Sequence, residues 1–144
     1  MTPDERARRA ADAMWKNDAA SAWFGMRITD VGEGRATLEL TVAAHHCNGL
    51  GSCHGGVIFA LADSAFAFAC NSRNQATVAQ QNTVTYLAPA KPGDTLTASA
   101  VERALSGRSG VYDATVVKQD GTTIAEFRGL SRTIPGHHFE ETSG

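Results

Sequence analysis

Apolar and polar positions alternate with a period of two through MRITDV (26–31) and RATLELTV (35–42), and the GEG between them predicts a hairpin of two half-buried strands. Before them, Thr2 is placed to cap a helix, with Pro3 at its first position and Asp4 and Glu5 in its first turn. That helix is predicted to run to about Asn17. After the hairpin a polar stretch, AAHHCNGLGSCH, leads to Gly55-Gly56 and then to VIFALADSAFAFAC, whose unbroken run of small and apolar residues predicts a helix from about Val57 to Cys70. The remainder changes character. TVAQQNTVTYLA, DTLTASAVERAL, SGVYDATVVKQ and TTIAEFRGLSRTI read as four antiparallel strands in succession, separated by PAKPGD, SGRSG and the Asp120-Gly121 turn. The tail GHHFEETSG is polar and is expected to fray.

This order is an α+β layout, with no internal repeat and no strand-helix alternation around a phosphate-binding glycine loop. A helix apolar on all sides must be enclosed, and a curved antiparallel sheet wrapped around one long central helix would enclose it. That arrangement is the hotdog fold, here with a short N-terminal helix added. The 144 residues are expected to form a single domain, 1–144. Thirteen Lys and Arg against fifteen Asp and Glu give a net charge of -2 without a basic block, which disfavours nucleic acid and membrane surfaces as partners. No signal-peptide pattern and no bilayer-spanning run is present, so a cytoplasmic location is expected. Cys47, Cys53 and Cys70 are odd in number and read as free thiols.

One residue disturbs the apolar helix. Asp63 has Phe59, Ala60, Phe66 and Ala67 as its neighbours three and four positions away, and burying an unpaired carboxylate there costs several kcal/mol. A charge in such a place is paired, neutralised or used. The helix start offers the complementary chemistry, because first-turn N–H groups lack intrahelical partners and carry partial positive charge. They suit an oxyanion. Gly55 would let an acyl group approach the backbone closely.

The run NGLGSCHGG followed by ALADSAFAFACNS, with PGDTLTASA, SGVYDATVV and EFRGLS downstream, resembles the phenylacetate-pathway acyl-CoA thioesterases (the PaaI family) of the hotdog superfamily. The match spans nearly the whole chain. The resemblance implies thioester hydrolysis without cofactor or metal, with Asp63 as the catalytic carboxylate. It implies that the backbone N–H of Gly55 holds the thioester oxygen, that Gly56 lies beside it, and that Asn48 and His54 line the acyl-binding end. The implied substrates are phenylacetyl-CoA and hydroxyphenylacetyl-CoA. Asp63 lies eight residues beyond Gly55, or roughly 12 Å along one helix at ~1.5 Å per residue. One carbonyl cannot reach both. Either the two do not form one site, or a second copy supplies one of them across a two-fold axis. The family takes the second course, which implies a homo-oligomer: a dimer with composite sites, assembling further into a tetramer. Asp63 would then line a cleft.

Asp63 as nucleophile and Asp63 as general base both remain open. Ser64 is a candidate for holding a water or the carboxylate, although a helical serine also bonds its own backbone. Asn48 before a glycine equally makes a turn, and His54 before Gly-Gly equally shapes the loop. His45, His46, Cys47, Cys53 and His54 crowd one segment, but their spacing does not suit zinc. Cys53 and His54 are too close in sequence to face each other as nucleophile and base. Arg103, Arg108 and Arg128 read as solvated strand residues, and Phe66, Phe68 and Tyr86 as core. A dehydratase would pair its acid with a histidine, and none lies in this helix. The rival from another class is a noncatalytic hotdog module that only binds acyl-CoA.

Overall fold

The computed structural model describes residues 1–142. Helix α1 (Pro3–Trp15) opens with the anticipated cap: Thr2 Oγ1 accepts the Glu5 N–H at 3.1 Å, and Glu5 Oε2 accepts the Thr2 N–H at 3.0 Å. A second helix that the periodicity did not predict, α2 (Ala19–Phe24), is capped by Asp18 and ended by Gly25 in the left-handed region at φ 83°. The hairpin follows as β1 (Arg27–Gly32) and β2 (Arg35–Thr41), turning at Glu33-Gly34. The long helix α3 (Gly55–Cys70) starts two residues earlier than expected, because His54 caps it. Four strands complete the chain: β3 (Thr77–Tyr86), β4 (Thr95–Ser106), β5 (Ser109–Lys118) and β6 (Thr123–Thr133).

All pairings are antiparallel, and the spatial order is β1-β2-β4-β5-β6-β3. The four later strands therefore do not pair in succession. Strands β4, β5 and β6 form a meander, while β3 crosses to the far edge and pairs with β6, from Thr77↔Thr133 to Tyr86↔Ala125. Alternation in β2 buries Ala36, Leu38 and Leu40 and leaves Thr37, Glu39 and Thr41 outward. Strands β4, β5 and β6 add Leu96, Ala98, Ala100, Ala114, Val116 and Phe127 to the same face. Helix α3 lies on that face and contacts every strand, which is the expected hotdog architecture.

The packing is close because inward strand positions are small. A Cβ on Gly129 would stand 2.7 Å from the Phe66 ring, so only glycine lets α3 approach β6 this nearly. Phe66 and Phe68 are both 1% exposed, as expected of core residues; a fully buried Phe contributes roughly 2–3 kcal/mol. Enclosure is incomplete on one flank, where Gly56, Ala60, Asp63 and Ala67 recur at spacings of three and four and stay partly or fully exposed.

The tail is pinned where fraying was expected. Asn74 accepts the N–H groups of His138 and Phe139 and donates to the Phe139 carbonyl at 2.8 Å. Arg9 stacks on the Phe139 ring, 4.3 Å from its centroid. The end of that tail, residues 143–144, lies outside the described residues.

Candidate active site

Two polar positions along α3 face one strand. At the helix start, His54 Nδ1 accepts the Gly56 N–H at 2.8 Å. The Gly55 N–H has no acceptor among the described residues. The two glycines thus differ: Gly56 spends its donor on the cap, and Gly55 keeps one free. The Gly55 carbonyl accepts the Tyr86 hydroxyl at 2.7 Å, and a Cβ on Gly55 would meet the Tyr86 ring at 3.0 Å. Tyr86, expected in the core, is 48% exposed and braces the helix start instead.

Asp63, two turns further on, is half-buried and borders a cavity of about 380 Å³ between α3 and β3. Met14, Phe66, Cys70, Ile134 and His138 are among the residues that complete its wall. Asn82 Nδ2 donates to Asp63 Oδ1 at 2.8 Å. Burial pushes the Asp63 carboxyl above its ordinary pKa, and the Asn82 hydrogen bond works against that rise. A carboxylate so placed, with no ion pair among the described residues, has the chemistry a base or nucleophile needs. Strand β3 runs alongside α3 so that Asn82 meets Asp63 and Tyr86 meets Gly55. Four strand residues span roughly 13 Å, close to the roughly 12 Å of helix between the two positions.

The other candidates are held within their own segments. Asn48 Oδ1 accepts the N–H groups of Leu50 at 2.9 Å and Ser52 at 3.2 Å, which closes the loop that precedes α3. Ser64 Oγ lies 2.9 Å from Ser21 Oγ, and Ser21 donates to its own cap, Asp18. Ser64 therefore ties α3 to α2, away from the Asp63 carboxylate. His46 is buried, with Nδ1 accepting the Ala43 N–H at 2.9 Å and Nε2 donating to the Phe24 carbonyl at 2.8 Å. Burial pushes the Cys53 thiol up to about 11, which makes it a poor nucleophile beside His54. Among the described residues no three His, Cys, Asp or Glu are grouped to hold a metal. Arg103 and Arg128 both pair with Asp113, and Arg108 donates to the Thr133 carbonyl.

Asn82 and His138 were absent from the candidates read in the sequence. The signal for Asn82 was present: with Val84 and Tyr86 it forms one face of an alternating strand, and a lone amide there needs a polar partner. His138 donates Nε2 to Asn71 Oδ1 at 2.7 Å across a long separation, and no local pattern announces that contact.

Fold and helix-borne carboxylate together define a hotdog thioesterase, and the chain belongs to the thioesterase superfamily, whose family model matches residues 50–125. The HGG, LAD and GDTLTA motifs fall inside that segment. The chain is similar to the acyl-coenzyme A thioesterase PaaI of Escherichia coli (strain K12), with 47% identity over 131 residues, or 91% of this chain and 94% of that protein. The solved structure of the E. coli PaaI protein from the phenylacetic acid degradation operon matches with a TM-score of 0.93 and 45% identity, covering 94% of this chain and 99% of that one. A putative esterase of Archaeoglobus fulgidus is 36% identical over 125 residues, 87% of this chain and 81% of that protein.

Proposed function

We propose that this thioester hydrolase acts on phenylacetyl-CoA and ring-hydroxylated phenylacetyl-CoA, releasing the free acid and CoA in phenylacetate degradation. The observation that carries the reading is Asp63, a carboxylate kept half-buried in an apolar helix, beside a cavity, with one uncharged partner among the described residues. The name of the E. coli relative supports acyl-CoA as substrate and the phenylacetate route.

The thioester oxygen accepts the free N–H of Gly55, whose helix-start dipole stabilises the oxyanion as it forms. Asp63 acts from the opposite side, either attacking the carbonyl carbon to give a mixed anhydride or taking a proton from the water that attacks. Collapse of the tetrahedral species expels the CoA thiolate, which is then protonated; in the anhydride route a water then cleaves the acyl-Asp63 bond, releasing the acid and restoring the carboxylate. A single chain separates the two groups by roughly 12 Å, so Asp63 of one subunit works with Gly55 of the partner subunit. The open flank Gly56, Ala60, Asp63 and Ala67 and the unpaired edge of β3 support a two-fold dimer there. Asn48 and His54 shape the loop at the acyl-binding end. We place the enzyme in the cytoplasm as a single-domain chain in a dimer of dimers; no helix among the described residues is long and apolar enough to cross a membrane.

The test is steady-state hydrolysis of phenylacetyl-CoA, hydroxyphenylacetyl-CoA and aliphatic acyl-CoA controls by wild type, with single turnovers in ¹⁸O-water. Preference for the aryl-acetyl thioesters is expected. Label found in the enzyme would identify an anhydride opened at Asp63, and label confined to the product acid would place the attack of water on the acyl carbon. A wild type that binds acyl-CoA and turns none of it over would make the chain a binding module and overturn the proposal.

A further inference from the structure

The Asp63 carboxylate has one hydrogen-bond partner among the described residues, and it comes from a different element of the fold. Asn82 lies on the inward face of β3, directly across from Gly129 of β6. Its neighbours on that face, Val84 and Tyr86, are an aliphatic and an aromatic residue. A β-bulge between Ala79 and Gln81 resets the alternation just before Asn82, and bulges of this kind serve to re-aim a side chain. Because Gly129 opposite has no side chain, the Phe66 ring of α3 reaches the sheet there, which brings α3 close to the two strands at this level.

We propose that Asn82 is a positioning residue for thioester hydrolysis, its carboxamide fixing the rotamer of Asp63 through the 2.8 Å bond from Nδ2 to Oδ1. The inference rests on the reading of Asp63 as the catalytic carboxylate. The other oxygen, Asp63 Oδ2, is thereby left for the reaction. Asn82 Oδ1 is buried and has no donor among the described residues. A carboxamide retained for stability alone would be expected to satisfy both ends, and this one satisfies only the end that touches Asp63. The spare acceptor has a use if Asp63 takes up a proton. Turned half a revolution about its last torsion, the same side chain offers an acceptor to the carboxyl O–H, so it serves the carboxyl in either protonation state.

The electrostatic surroundings leave this role to Asn82. The titratable groups bordering the same cavity are Cys70 on α3, whose thiol burial pushes up to about 12, and His138 of the C-terminal segment, which burial lowers towards the neutral form. Met14 of α1, Val78 and Ala79 of β3 and Ile134 contribute no charge. Among the described residues no cation stands near to hold Asp63 ionised, and the amide donor is what favours its charged form.

The experiment compares Asn82→Ala, the isosteric Asn82→Asp and Asp63→Asn with wild type, measuring kcat, KM, the pH profile of kcat/KM and the thermal melt on phenylacetyl-CoA. Asn82→Ala is expected to lower kcat about tenfold through misplacement of the carboxylate, with KM little changed. The acid limb of its profile moves to higher pH by about one unit, because the lost bond favoured the ionised form. Asn82→Asp moves the limb further, since a second carboxyl now faces the first, and it carries the test alone where the alanine variant does not fold. Limbs that stay at the wild-type position while Asp63→Asn is inactive would overturn the role of Asn82. An active Asp63→Asn would instead overturn the reading of Asp63 on which it rests.

Discussion

The two ends of the polar chemistry along α3 are built differently. At the C-terminal end Asn71 donates to the Ala67 and Thr77 carbonyls and accepts from the Thr77 N–H and from His138, so its amide is fully engaged. Asn74 is equally occupied by Phe139, Glu141 and His138, and Ser72 Oγ accepts the buried Gly34 N–H at 2.8 Å. Along the flank beside β3 the accounting stops short. Among the described residues Asp63 has one donor, Asn82 keeps an empty acceptor and Gly55 keeps an unused N–H. Saturated hydrogen bonding marks the end that holds the fold together. Spare capacity marks the side where, in the function we propose, a substrate supplies the missing partners.

Substitutions at the two ends should therefore separate activity from stability. The largest effect is expected of Asp63→Asn, with turnover falling by a factor of about a hundred or more and a melting temperature no lower than that of wild type. Burial raises the folded-state pKa of Asp63, so its contribution to stability is most favourable while protonated and declines as pH rises from the ordinary carboxylate value through the raised one. Melts across that window should show Asp63→Asn gaining on wild type with rising pH; a variant that melts earlier at neutral pH would make the carboxylate structural and erase the contrast. Asn74→Ala should behave in the opposite way. It strips a buried network and places alanine at φ 63°, costing about 3 kcal/mol or about 10 °C in the melt, with activity per folded molecule retained.

Smaller changes sharpen the picture at the helix start. Gly55→Ala keeps the N–H but drives a methyl against the Tyr86 ring, and kcat should fall about tenfold with a modest change in the melt. Tyr86→Phe removes only the 2.7 Å bond to the Gly55 carbonyl. A loss of about 1 kcal/mol in stability and a fall of a few-fold in kcat are expected, read from chemical denaturation and initial rates.

What could be read from the chain alone follows the range of the forces involved. Capping of α1 by Thr2, the β1-β2 hairpin and the apolar run of α3 depend on residues within a turn or two of each other, and all were legible. Asp63 stood out because an acid among alanines and phenylalanines has no local explanation. The second short helix was hidden by its length of six residues, and the pinned tail by its polar composition. His137, His138 and Phe139 look soluble until Asn71 and Asn74 are known to lie beneath them. Tyr86 and Asn82 were misread or missed for a related reason. Their partners lie on α3, 31 and 19 residues away, and the crossing of β3 to the far edge of the sheet decides the pairing.

That crossing also sets a timetable. Strand β3 finds its partner in β6, with Thr77 opposite Thr133, so it waits until the three strands' worth of chain up to residue 133 has been synthesised. Until β6 leaves the ribosome, one side of α3 has no lid and β3 has two vacant edges. Nascent chains halted before residue 123 should be sticky and quickly degraded, and Asp63, Asn82 and Gly55 come into register only once β6 has emerged.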